Sequence, residues 1–227
     1  HFPFCLVNGR PDPNCSLTGC RASVTGNHMK CAHHIASILT AVGSAVGIAC
    51  PSVAVETNPT QEQISRALER GKEVAAQHRS PDTLYVRFGA NDGGHPSGFL
   101  ITKLRGVSVM AAHMALRGLE PSGEDIARVT DASTLQISTV IFGDSPSFAV
   151  NSYMSLDQGS RIIKPIAVRV DGQAGRTTTW PDAPRFQAKV VASFNYTDFD
   201  PKAQTTITVF PAIGGEVRFT VNLAQIE

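Results

Sequence analysis

No cysteine occurs after residue 50. The five cysteines, Cys5, Cys15, Cys20, Cys31 and Cys50, all precede a long remainder that can hold neither a disulfide staple nor a cysteine-ligated zinc site. The 173 residues from Val55 to Glu227 are nonetheless long enough to bury a core without such staples. Aromatic residues are few, with one tryptophan and three tyrosines. Charge of one sign is missing as well. The chain is formally +1, and residues 55–227 carry 17 basic against 18 acidic groups with no basic run, which excludes a nucleic-acid footprint. No H-E-x-x-H, G-x-S-x-G, Walker loop or paired C-x-x-C occurs, and the glycine-rich stretch 89–98 lacks the lysine that a phosphate cradle uses. There is no internal repeat and no low-complexity segment outside that stretch.

The longest uncharged apolar run lies near the beginning. Met29 to Ala54 carries one early cation, Lys30, then Ile35 to Ala49 without a charge, then small residues at Ser52 and Ala54. That order predicts an export signal over 29–54, cleaved between Ala54 and Val55, and a periplasmic or secreted product. The apolar core of about fifteen residues is short for a membrane span, which needs roughly twenty. Membrane attachment is expected only through an uncleaved signal or a lipidated Cys50. The Gly47-Ile48-Ala49-Cys50 stretch has glycine where a lipoprotein signal normally has leucine.

Residues 1–28 show neither helical nor strand periodicity and read as an unstructured upstream or non-native leader. As a mature N-terminus, His1 would offer copper an amine and an imidazole, an arrangement similar to that of lytic polysaccharide monooxygenases. An export signal following the histidine and the scarcity of aromatics both oppose that reading.

Beyond the signal, Thr60 and Gln63 have capping-box spacing, and Ile64, Ala67, Leu68, Gly71, Val74 and Ala75 recur on one face. These predict an N-terminal helix within 55–81, stopped at Ser80-Pro81. Residues 82–227 are expected to form the main domain. Leu84, Val86 and Phe88 alternate as one strand, and Phe99 to Leu104 reads as another. Val107 to Leu116 fits either a buried strand or a short helix, and Pro121 to Asp125 opens a short helix carrying Ile126 and Val129. From Thr134 onward six alternating runs follow: Leu135–Ile141, Phe148–Leu156, Ile162–Val170, Phe186–Tyr196, Ile207–Val209 and Val217–Leu223. Alternation implies one buried and one wet face, hence antiparallel strands. The expected fold class is mostly β, an antiparallel β-sandwich of immunoglobulin-like architecture with a short helical N-terminal portion.

Three groups of residues could carry chemistry. Val140-Ile141-Phe142-Gly143-Asp144-Ser145 resembles the first block of the GDSL/SGNH hydrolases, which implies Ser145 as nucleophile. Gly89-Ala90-Asn91-Asp92 and Asp92-Gly93-Gly94-His95 match later blocks of that family, but they overlap and lie upstream of the serine. Pro146 replaces an apolar residue of the motif, and no histidine follows His113.

Met110, His113 and Met114, with His95 or His78, offer soft ligands suited to copper in an exported protein. Methionine in an apolar run is, however, ordinary core packing. Trp180, in Thr177 to Pro181, could stack on a sugar or anchor a partner. Asp198 and Asp200, with Asn195, could supply oxygen ligands to calcium but lack the loop spacing. Asn195-Tyr196-Thr197 is a glycosylation sequon lying in a strand.

The expectation is an exported, non-catalytic binding or envelope-structural protein without a cofactor, whose partner would be an envelope protein or glycan. A copper-binding Met/His protein is the alternative, and a hydrolase around Ser145 ranks below it.

Overall fold

In this computed structural model, residues 54–227 and one short strand pair are described. The pair, β1 (Leu6–Val7) antiparallel to β2 (Arg10–Pro11), falls in the first of two units of the chain, His1–Ile48. The leader, the cysteines, and the signal as far as residue 53 otherwise lie outside the described residues. Among the described residues no helix is long and apolar enough to cross a membrane.

The second unit runs in the order α1 (Gln61–Ala76), β3 (Val86–Gly89), β4 (Ser97–Ile101), α2 (Lys103–Ala115), α3 (Gly123–Thr130), β5 (Thr134–Gly143), β6 (Tyr153–Gln158), β7 (Arg161–Ile163), β8 (Ala167–Val170), β9 (Gly175–Arg176), β10 (Phe186–Asn195), β11 (Gln204–Phe210) and β12 (Val217–Asn222). One antiparallel sheet has the order β3-β4-β5-β10-β8, with β9 also paired to β10, and a second has the order β12-β11-β6-β7.

The fold is therefore mostly β, with two antiparallel sheets. Helix accounts for about 27%, which is more than an N-terminal addition, because α2 and α3 interrupt the strand series. The strand expected over Phe99–Leu104 ends at Ile101, because Thr102 caps the next helix: its hydroxyl accepts from the Arg105 amide at 3.2 Å. Val107–Leu116 is correspondingly helical. Leu84 sits in a 3-10 turn, Pro81–Leu84, and Phe148 in the turn before β6. The run Ile162–Val170 is divided between the two sheets, with β7 in one and β8 in the other.

Helix α1 forms as its sequence dictates. Thr60 Oγ1 accepts from the Gln63 amide at 3.3 Å, Gln63 Oε1 accepts from the Thr60 amide at 2.7 Å, and Ile64, Ala67, Gly71, Val74 and Ala75 are buried. Ser122 and Asp125 cap α3 in the same way.

Alternation sets the core. Leu135, Ile137 and Ile141 of β5 and Val190, Ala192 and Phe194 of β10 join Met154, Leu156, Ile207 and Val209 of the other sheet in one hydrophobic cluster. Val55, Phe148 and Leu223 complete it, and each fully buried large side chain contributes about 1.5–3 kcal/mol. Thr139 is the polar residue among the core-facing positions of β5, and its hydroxyl donates to the Val190 carbonyl at 3.2 Å. The helices have cores of their own: Ile64, Ala67, Leu104 and Val107 in one cluster, Val74, Leu84 and Ala112 in another.

Candidate functional site

Because side chains alternate, the residues between the core positions of the first sheet share its opposite face. Pairing sets Arg87, Phe99, Ser138, Val191 and Arg169 in one row across β3, β4, β5, β10 and β8. Ile101 and Gln136 stand in the adjoining row on one side, and Ser97, Val140 and Lys189 in the row on the other. Phe99, Ile101, Val140 and Val191 are half-buried, and Tyr85 stacks on Phe99 with ring centroids 4.5 Å apart and planes at 11°.

Three hollows run along this face. The first, about 220 Å³, lies between Arg87–Asn91, Ser97–Phe99, Ser138 and Val140. The second, about 240 Å³, is lined by Tyr85, Phe99, Ile101, Gln136, Ser138, Lys189 and Val191. The third, about 260 Å³, is closed by the helices, with Thr102, Lys103 and Gly106 of the α2 end and Val129 and Ala132 at the end of α3 meeting Ile101, Gln136 and Tyr196. Phe99 and Ser138 line both the first and second hollows, and Ile101 and Gln136 both the second and third, so the three adjoin one another in a row. A hollow of about 530 Å³ on α1 is lined by that helix alone, an open surface rather than a cleft.

The helical end is the most distinctive part electrostatically. Lys103 is 9% exposed, and among the described residues no carboxylate lies within 4.0 Å of its ammonium. Its Nζ lies 5.4 Å from the centroid of the Tyr196 ring. Burial pushes the Tyr196 phenol up to about 12, against the smaller opposing effect of the Lys103 backbone amide, so the phenol stays protonated at neutral pH. Neither Lys103 nor Tyr196 was singled out from the sequence as a site residue, although the alternating run Phe186–Tyr196 marks Tyr196 for burial. They are brought together only by the turn of the chain from β4 into α2 and from β10 into the following 3-10 turn, Tyr196–Asp198.

The residues singled out from sequence are dispersed. Ser145 is half-buried in the turn after β5. Its hydroxyl pairs with that of Ser147 at 3.1 Å and accepts from the Ser147 amide at 3.3 Å, with no histidine among its hydrogen-bond partners in the described residues. Gly143 admits the Phe148 ring, since a Cβ there would stand 2.4 Å from Phe148 Cγ. The Asp144 carboxylate accepts from the Arg185 amide at 3.4 Å.

Asp92 and His95 pair in the exposed β3–β4 turn, with Oδ2 to Nδ1 at 2.7 Å. Asp92 Oδ1 accepts from the Gly94 and His95 amides at 3.0 and 3.1 Å. These contacts, the Gly94 amide first and the His95 ring next, hold the Asp92 carboxyl below its usual range. Met110, His113 and Met114 lie on α2, His113 exposed and both methionines half-buried, while His78 follows α1 with φ of 52°. Among the described residues no group of three or more His, Cys, Asp or Glu side chains could hold a metal ion.

Trp180 is 44% exposed in the β9–β10 connection, with the Arg176 guanidinium 4.2 Å from its ring centroid. Asp198 accepts from the Asn195 side-chain amide at 3.0 Å, and Asp200 Oδ1 from the Lys202 amide at 2.8 Å, both local turn contacts. Val55, on the C-terminal side of the expected cleavage point, is 2% exposed, and its amide donates to the Leu223 carbonyl at 3.3 Å.

No protein-family model and no curated protein sequence matches the chain.

Proposed function

We propose that this chain is an exported, non-catalytic binding protein whose two antiparallel sheets form a sandwich and whose ligand lies along the outer face of the first sheet. The observation that carries the reading is the row of three adjoining hollows, neighbours sharing Phe99 and Ser138 or Ile101 and Gln136 as walls. A half-apolar trough with a stacked aromatic pair in its floor and polar groups at intervals has the character of a small-molecule site. Export is supported by the order of cation, apolar run and small residues over 29–54.

The test is an NMR titration of the full chain with a panel of small aromatic compounds. Saturable shifts at the Phe99, Ile101, Gln136 and Ser138 amides are expected, and a panel without one would overturn the reading. Intact mass after expression with export in a Gram-negative host checks the other half: a chain beginning at Val55 is expected, and one retaining residues 29–54 would overturn it. Exposed Trp180 favours a second surface, for an envelope glycan or protein partner, read by a change in its fluorescence.

A further inference from the structure

Strand β8 is the outermost of the first sheet and pairs with β10 alone among the described residues. Its ladder fixes which backbone groups are used. The Asp171 amide donates to the Lys189 carbonyl at 3.2 Å and the Ile166 amide to the Ser193 carbonyl at 2.8 Å, so the odd-numbered residues of β10 turn their polar groups toward β8. Hydrogen-bonded positions alternate along an antiparallel pair, which leaves the N–H and C=O groups of Val168 and Val170 pointing away from β10 at the open edge. A separate hollow of about 480 Å³ opens at that edge, with Val168, Val170, Asp171 and Gly172 on one bank and residues 150–152 on the other. Both valines pack against the main core and remain only half-buried, and Val150 across the hollow is 37% exposed. An open edge is a template for another strand, and natural proteins blunt it with charge. On β8 that charge is Arg169, exposed between the valines on the opposite face. Arg169 and its diagonal neighbour Lys189 have no carboxylate within 4.0 Å among the described residues. The Asp171 carboxylate is engaged by the Lys189 backbone amide at 2.8 Å.

We infer that this edge docks an extended segment of a protein partner, which adds to the sheet as one more strand beside β8 and reads apolar–acidic–apolar. Its two apolar residues stand opposite Val168 and Val170, exchange backbone hydrogen bonds with them and turn their side chains into the hollow. The residue between them stands opposite Arg169 on the other face, where an acidic side chain meets the unpaired guanidinium. A second copy of this chain is a poorer occupant, because the register that pairs both valines sets Arg169 directly opposite the same arginine of the copy. None of the residues lining this hollow lines the trough, so the edge stands apart from the small-molecule reading.

The experiment titrates the full chain with a capped peptide reading Thr-Val-Glu-Val-Thr, following amide signals by NMR. Saturable shifts are expected at Val168, Val170 and residues 150–152, with the two valine amides exchanging at least about tenfold more slowly in the complex. The same peptide N-methylated at both valines keeps its side chains, loses the edge hydrogen bonds and is expected not to bind. A peptide with lysine in place of the glutamate is expected to bind about fivefold more weakly, the worth of one cross-strand charge pair, and Arg169→Glu to reverse that order. Should the variant not fold, added salt on the wild type replaces it and is expected to narrow the preference for glutamate. Equal binding of the glutamate and lysine peptides would overturn the acidic position. Undiminished binding of the N-methylated peptide would overturn strand addition, as would shifts confined to Phe99 and Gln136 or no saturable shift at all. A dimer of the free chain in sedimentation, with the Val168 and Val170 amides already protected, would put a second copy on the edge and overturn the partner.

Discussion

Gly71 of α1 meets α2 at the carbonyl of Ser108, so closely that a Cβ on Gly71 would stand 2.2 Å from that oxygen and 2.7 Å from Ala111 Cβ. Helix propensity argues the other way, since alanine is favoured over glycine by about 1 kcal/mol in a helix interior. Backbone oxygen and a methyl on the facing helix cannot rotate aside, so the steric effect wins. Gly71→Ala is expected to destabilise the protein by at least about 2 kcal/mol, as overpacking does, in urea unfolding. Gly123→Ala, at the start of α3 where nothing lies within 4 Å, is expected to be neutral or to stabilise by up to about 1 kcal/mol. A neutral Gly71→Ala would show that the two helices separate freely.

Tyr196 gives the fold an alkaline limit. Its phenol is raised from 10.0 to about 12, chiefly by burial, so the folded state holds the proton more tightly than the unfolded chain. The associated stability is complete below pH 10 and is lost as pH rises through about 12, a term on the order of 2–3 kcal/mol. Tyr196→Phe removes that linkage. The stability difference between wild type and variant is expected to be flat below pH 10 and to shift against the wild type above it. The absorbance difference between the two proteins isolates the phenolate, expected to appear near pH 12; an appearance near 10 would contradict the burial.

The Gly143-Asp144-Ser145 turn is built around Phe148 rather than around a nucleophile. Phe148 is 1% exposed and its ring occupies the space that a side chain at position 143 would need. Gly143→Ala is expected to displace the ring and cost about 1–3 kcal/mol. Ser145→Ala loses only local hydroxyl contacts and is expected to stay within about 0.5 kcal/mol of wild type. Short acyl-ester hydrolysis, assayed alongside, is expected to be the same for wild type and Ser145→Ala. A rate that disappears in the variant would restore the hydrolase reading.

How far the sequence reached depended on how local each interaction is. The caps Thr60–Gln63 and Ser122–Asp125 were legible because both partners lie within one turn. The alternation of β5 and β10 was legible because each is long and buried on one side. The start of α2 was not. Phe99 to Leu104 continues the apolar content of β4, and only Thr102 as cap, followed by Leu104, Val107 and Ala111 at helical spacing, marks the change of period. The assignment of β7 and β8 to different sheets depends on pairing with distant strands; in the short link between them only Pro165, which cannot donate to a ladder, marks a break. The candidate site is least legible of all: Lys103 and Tyr196 touch only through tertiary structure, and a lysine next to an apolar strand reads as an ordinary surface residue.

Glu227 holds together a place where two cations would otherwise face each other. Its carboxylate accepts from Arg70 at 2.6 Å, while buried Arg70 Nη1 and Arg105 Nε have no partner among the described residues. Burial, then the Arg70 charge, lowers the Arg105 pKa, and Glu227 opposes both. Glu227→Gln removes the opposing charge and keeps the shape. With the Arg70 and Glu227 side chains 31% and 39% exposed, water screens part of the loss, and about 1–2 kcal/mol of destabilisation is expected. Arg105→Met, which deletes one cation and keeps an apolar stem, is expected to recover most of that loss when combined with Glu227→Gln. The two substitutions should therefore be non-additive by at least about 0.5 kcal/mol in a double-mutant cycle. Strict additivity would mean that Arg105 does not feel the carboxylate.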